Sequence, residues 1–135
     1  MGSDMSGIWF ADGNMMHVEL QGVSLRKAVL PKADLSRSYF SNVNLSDAGL
    51  EHVNFRASTL INVNFSNARM IRTNLENVTI QGGVFNETFF EPINAESLMI
   101  LDAKGLSTIT FSDPRPVVTL RKTLKESACG EKRGG

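Results

Sequence analysis

Val53-Asn54-Phe55-Arg56-Ala57-Ser58-Thr59-Leu60-Ile61-Asn62-Val63-Asn64-Phe65-Ser66-Asn67 is one five-residue pattern written three times. A large apolar residue, here Phe55, Leu60 and Phe65, stands at the centre of each unit, with a small or β-branched residue two places before it. Worked outward in both directions, the centres run Leu20, Leu25, Leu30, Leu35, Phe40, Leu45, Leu50, Phe55, Leu60, Phe65, Met70, Leu75, Ile80, Phe85 and Phe90. A strand alternates every two residues and a helix returns every 3.6, so a period of five keeps neither phase. The backbone must therefore turn once per unit, with two inward positions on each short wall and three positions left for solvent or a corner. A fixed internal period decides the architecture before any other signal.

A longer period counts the walls. Two places after the centre, Gly22, Asn42, Asn62 and Gly82 fall twenty residues apart, and Gly and Asn are the residues that best tolerate positive φ. One place before the centre, Asp34, Asn54, Asn74 and Asn94 form another such series, and Asn44 and Asn64 a third. Four units per circuit would stack these residues at strand spacing, about 4.8 Å. Stacked amides can then bond along the column, as in Asn ladders. The expectation is a four-walled solenoid of about four coils.

The units Ala33-Asp34-Leu35-Ser36-Arg37, Val43-Asn44-Leu45-Ser46-Asp47, Val63-Asn64-Phe65-Ser66-Asn67 and Thr73-Asn74-Leu75-Glu76-Asn77 resemble those of the pentapeptide-repeat family. The resemblance covers more than half the chain and is specific through its multiplicity. It implies an all-β fold, the right-handed quadrilateral β-helix, a handedness that the period alone does not supply. Tyr39, Arg69, Val84 and Phe89 depart from the family's polar residue before the centre.

The length suggests one domain, divided as a flexible or tag-like start (1–7), the β-helix (8–112), a C-terminal helix or cap (113–129) and a disordered tail (130–135). An open solenoid exposes strand edges and apolar core at its ends and needs covering. Residues 8–17 contain Asp12-Gly13 between apolar stretches and read as a hairpin cap, with Trp9 covering the first coil. At the far end the phase weakens at Ala95, resumes at Ile100 and slips at Gly105-Leu106. Asp113-Pro114-Arg115-Pro116 stops the sheet. Val117, Leu120, Leu124 and Ala128 then keep a loose helical spacing.

Fourteen basic and fourteen acidic residues cancel, which gives no electrostatic case for nucleic acid or anionic membrane. No stretch is long and apolar enough to span a bilayer, and no secretory signal appears. The single cysteine, Cys129, excludes an internal disulfide and fits a reducing compartment. A cytoplasmic location is expected, or delivery into a host cell if the chain is an effector's repeat domain. Met1-Gly2 formally opens a myristoylation signal, and an expression-tag remnant before Met5 reads equally well. The Asn-X-Ser/Thr sequons, such as Asn44-Leu45-Ser46, are generated by the repeat itself.

No catalytic constellation emerges. His17 and His52 lie thirty-five residues apart and so occupy different sides, which leaves no metal pair. The carboxylates are scattered among basic residues, and no nucleophile elbow or phosphate loop occurs. The expectation is no catalytic residue, no cofactor and no metal. Val29, Gly49, Arg69 and Phe89 should share one column, with Pro31, Glu51, Ile71 and Glu91 beside it, and Tyr39 and Ile61 on another side. Arg69, Ile71, Arg72 and Phe89 mark the partner surface to test.

Two functional classes remain. The first is a non-enzymatic protein-binding or structural spacer module, similar to the repeat domain of some bacterial effectors, with a protein partner and no nucleic acid. The alternative is the family's DNA-mimicking branch, which binds topoisomerase (gyrase) and gives quinolone resistance. The balanced charge, the few coils and a basic end carrying Arg121, Lys122 and Lys125 depart from that branch.

Overall fold

The computed structural model describes residues 3–109 of the 135-residue chain. The expected C-terminal helix (113–129), the tail (130–135) and Cys129 lie outside the described residues, as do Met1 and Gly2. Seven short strands follow in order: β1 (Glu19–Gln21), β2 (Tyr39–Ser41), β3 (Thr59–Ile61), β4 (Arg69–Asn74), β5 (Thr79–Gln81), β6 (Phe89–Ile93) and β7 (Met99–Leu101). All pairings are parallel. β1, β2, β3, β5 and β7 form one five-stranded sheet, and β4 pairs with β6.

Residues twenty apart face one another, as in Glu19 with Tyr39 and Thr59 with Thr79. Four walls result. Wall one is the five-stranded sheet, centred on Leu20, Phe40, Leu60, Ile80 and Ile100. Wall two passes through the bridges Asp4–Ser24–Asn44–Asn64–Val84–Lys104, wall three through Trp9–Val29–Gly49–Arg69–Phe89, and wall four through Asn14–Asp34–Asn54–Asn74.

The two inward positions fill the lumen. From Leu25 to Phe90 every centre is at most 3% exposed. Leu35, Phe55 and Leu75 are buried one above another on wall four. The small residues two places earlier are buried too, among them Ala28, Ala33, Val53 and Ala68. Where that position is a hydroxyl, a bond offsets its burial. Ser58 Oγ donates to the Leu35 carbonyl (2.9 Å), Thr73 Oγ1 to Leu50 (2.8 Å) and Thr88 Oγ1 to Phe65 (2.7 Å).

Corners are more uniform than the Gly and Asn series implies. Positive φ recurs at every fifth residue from Gly7 to Glu87, including Lys27, Arg37, Ala57 and Arg72. The corner N–H donates along the tube, as from Lys27 to Ser46 (2.9 Å) and from Arg37 to Arg56 (2.8 Å). That ladder holds residues other than glycine in a region they seldom adopt. Asn and Asp before the centre cap the turns: the Oδ1 atoms of Asp34, Asn44, Asn54, Asn64 and Asn74 each accept the N–H two residues on, at 2.9–3.0 Å. The expected amide column is a secondary feature, with Asn54 donating to Asp34 and Asn94 to Asn74 at 3.4 Å.

Two expectations at the front are corrected. Residues 8–17 do not form a hairpin, and Trp9 is no cap. The bridges Asp4–Ser24, Trp9–Val29 and Asn14–Asp34 are parallel, and Met5 N donates to Ser24 O (2.8 Å), Phe10 N to Val29 O (2.9 Å). Residues 3–17 are therefore a further circuit of the tube rather than a loose start. Met5, Phe10 and Met15 keep the five-residue phase, and parallel pairing to the next circuit outweighs a local Asp-Gly turn. Trp9 occupies an outward position and is 74% exposed.

At the back, the weakened phase has a cause. Pro92 falls on a corner position, and its ring fixes a negative φ. β6 runs on through it, and Asn74 pairs with Ile93 across a register shift. The left-handed turn is displaced to Asn94 (φ 55°). A 3-10 turn over Ala95–Ser97 restores the phase before Leu98 and Ile100.

Candidate functional site

The lumen is filled with apolar side chains, so any function lies on the outward positions. Of each five residues, the one before the centre and the one after it face solvent, and the corner projects between walls.

Wall three carries the surface singled out from sequence. Arg69 and Phe89 are direct neighbours in the β4–β6 pair, and Ile71 faces Glu91. Arg72 is an exposed corner with φ 54°. The four residues are therefore brought together, but they are not equally available. Arg69 Nε lies 3.4 Å from Glu51 Oε1, and its guanidinium sits 5.4 Å from the centroid of the Phe89 ring. Ile71 and Phe89 are half-buried. Much of what reads as a basic–apolar patch is engaged within the molecule.

Wall one is the surface the sequence reading saw only in part, through Tyr39 and Ile61. From β2 to β7 its outward residues are Tyr39 and Ser41, Thr59 and Ile61, Thr79 and Gln81, Met99 and Leu101. None is charged. Tyr39, Met99 and Leu101 are three of the six exposed large hydrophobics among the described residues. Reading positions 39, 59, 79, 99 and 41, 61, 81, 101 as columns would have revealed it; scanning for single departures from the repeat did not.

Elsewhere wall two is uncharged from Asn44 to Asn86, with mainly Asn and Ser facing out, and charges outside that stretch pair across neighbouring circuits. Arg56 Nε meets Glu76 Oε1 at 2.8 Å and Arg26 approaches Asp47 at 3.9 Å. His17 and His52 stand at different corners, and no cluster of metal-binding side chains occurs among the described residues. A shallow notch of about 280 Å³ lies beside Asn62, Asn64, Gly82, Gly83, Asp102 and Lys104. No helix among the described residues is long and apolar enough to cross a membrane.

Comparison with known proteins returns one family. The model for pentapeptide repeats matches residues 19–56 and 48–87, with eight copies. No curated protein matches the chain. Among solved structures, the chain is similar to HetL, a pentapeptide repeat protein involved in heterocyst differentiation regulation in the cyanobacterium Nostoc sp. strain PCC 7120. Identity is 17% and the TM-score 0.43, over 64% of this chain and 43% of that one. The chain thus spans less than half the length of HetL. It is also similar to Rfr23 from the cyanobacterium Cyanothece 51142 (17% identity, TM-score 0.45, 81% of this chain and 91% of that one). A further similarity is to QnrB1, a plasmid-mediated fluoroquinolone resistance protein (11% identity, TM-score 0.38, 90% and 83%).

Proposed function

Because this chain belongs to the pentapeptide-repeat family, we propose that it is a non-enzymatic protein-binding module, a rigid strut that presents wall one to a protein partner. The observation that carries this reading is the uncharged face from Tyr39 to Leu101, which gathers three of the six exposed large hydrophobics among the described residues, whereas the uncharged stretch of wall two, from Asn44 to Asn86, carries mainly Asn and Ser. A face without charge costs little to dehydrate, and exposed apolar side chains gathered on one side are what binding surfaces offer.

The dimensions favour one kind of contact. Three residues at about 3.3 Å set the width of the uncharged strip near 10 Å, and its four strands, β2, β3, β5 and β7, about 4.8 Å apart set its length near 14 Å. That strip is too small for a broad interface. It matches one α-helix, about 10 Å in diameter and roughly ten residues long. The proposed partner element is therefore an amphipathic helix with an uncharged stripe. Arg69, Ile71, Arg72 and Phe89 on wall three form the second surface to be compared with it. Cross-coil acid–base pairing leaves no wall with a row of one sign among the described residues, so a topoisomerase-binding role draws no support from the charge pattern.

The test is affinity capture from native cells by the parent chain, by Ile61→Lys/Met99→Lys on wall one and by Ile71→Ser/Phe89→Ser on wall three. A partner lost only in the wall-one variant, with unchanged melting, supports the reading. Full retention in that variant, or loss only in the wall-three variant, overturns it.

A further inference from the structure

The chain is neutral as a whole, but its charge is divided. Residues 3–109 carry eleven acidic and eight basic residues, whereas residues 110–135 carry three and six. The imbalance grows toward the back of the tube. After Arg72 the described residues hold five acids, Glu76, Glu87, Glu91, Glu96 and Asp102, against one base, Lys104.

Two of those acids bracket wall one. Glu96 precedes and Asp102 follows β7, whose outward side chains Met99 and Leu101 are exposed. Glu96 and Asp102 are exposed as well, and neither meets a cation among the described residues. An occupant of this face should therefore offer an apolar stripe with basic residues along its border.

Residues 117–128, which lie outside the described residues, have that composition. At helical spacing Val117, Leu120, Leu124 and Ala128 fall on one stripe, and Arg121 and Lys125 follow it along one border. Eleven steps of about 1.5 Å make the stripe about 16 Å long, against about 14 Å for the strip from β2 to β7. Reach is sufficient. The eight residues from Ile109 to Val117 extend to about 26 Å, more than the two walls of about 10 Å that make half a circuit. The five-residue spacing passes from Leu106 to Phe111, which assigns the residues directly after Ile109 to the end of the lumen and leaves 117–128 for a side.

We infer that residues 117–128 dock as a helix along wall one, running from β7 toward β2, with their basic border held at the acidic end of the wall. The inference rests on the reading of wall one as a helix-binding face and adds its regulation: the chain covers that face itself, and an outside helix binds by displacing the cover. A tether favours the internal occupant. It holds the segment at an effective concentration of order millimolar, so a strip too small to grip a free helix tightly is still covered. Opposite charges draw the segment in, so salt loosens it.

Cys129, the only cysteine, accepts a nitroxide at the end of the segment in the full chain. Paramagnetic broadening is then read by NMR at Tyr39 and Ile61 on wall one, at Ile71 on wall three and at Leu106 in the last circuit. The expected result is loss of the Tyr39 and Ile61 signals with Ile71 and Leu106 spared. High salt and Glu96→Gln/Asp102→Asn should each weaken the effect, and Leu120→Asp/Leu124→Asp should abolish it with melting preserved. Broadening centred on Ile71 or Leu106, or spread evenly over all four, overturns the inference. So does broadening of Tyr39 that Leu120→Asp/Leu124→Asp leaves intact. The two readings fail separately. If the nitroxide spares wall one while Ile61→Lys/Met99→Lys still loses a partner that the parent captures, the self-covering alone is wrong. If the nitroxide marks wall one while Ile61→Lys/Met99→Lys retains every partner, the docking stands and the partner face is wrong.

Discussion

Phe65 and Phe85 lie one directly above the other on wall two, their ring centroids 5.1 Å apart and their planes inclined by 24°. Phe90 meets Phe85 edge-on at 6.0 Å from the adjoining wall. A column with a turning edge contact ties two circuits and two walls through one side chain. Truncating Phe85→Ala removes both contacts from a fully buried site and should cost about 3–5 kcal/mol. Urea unfolding would measure it; a loss below about 1 kcal/mol would show that the lumen collapses around the gap.

The buried hydroxyls make a second, smaller prediction. Thr73→Val keeps the volume of the side chain but deletes the 2.8 Å bond to the Leu50 carbonyl. A loss of about 1 kcal/mol is expected, with the spectrum of the folded state unchanged. Thr59→Val, whose side chain faces outward on wall one, serves as the control and should change little.

Ala57 sits at a corner with φ 61° and has no polar side chain to support it. A non-glycine residue there carries roughly 1–2 kcal/mol of local strain, whereas glycine adds about 0.4–1 kcal/mol of unfolded-state entropy. The difference favours Ala57→Gly, which should raise stability by up to about 1 kcal/mol, while the β-branched Ala57→Val should lower it. Thermal melting of both variants checks the sign. Equal shifts in the same direction would mean the corner is not strained.

The Asp4 carboxylate is held below the ordinary aspartate range, first by the Ser6 side chain and then by the Ser6 N–H, which donates to Oδ1 at 3.0 Å. A lowered folded-state pKa contributes stability above the ordinary aspartate value, lost as pH falls through the depressed one. Carboxyl NMR should show Asp4 titrating below a free aspartate, and Ser6→Ala should move it partway back. No movement in that variant would assign the depression to another group.

Arg56 and Glu76 form the shortest ion pair among the described residues, yet both side chains are more than 40% exposed. Arg56→Gln should cost less than about 1 kcal/mol, and 1 M salt should erase most of that difference. A larger, salt-independent loss would mean that the pair organises the corner at Ala57.

The walls, the lumen and the stacking of Leu35, Phe55 and Leu75 were legible because one residue type recurs at a spacing that only one geometry satisfies. The hairpin over residues 8–17 was misread because Asp12-Gly13 is a strong local turn signal. A left-handed corner uses the same dipeptide chemistry, and the centres Met5, Phe10 and Met15 decide between the two. Corner residues such as Lys27 and Glu87 were invisible, since the ladder bonds that hold them come from the neighbouring circuit rather than from their own preference. Wall one was read only through Tyr39 and Ile61, for a related reason: its distinction is exposed apolar side chains gathered without charge across residues twenty apart, which no single position announces.

Only two positions in five enter the lumen, and the corner accepts almost any residue, so the fold and the outer surface are specified by separate sets of letters. Selection could therefore rewrite one entire side for a new partner while the stack inside never registers the change. The same separation makes the tube a ruler of fixed graduation, on which a side chain moved by twenty places is displaced by one strand spacing without being turned.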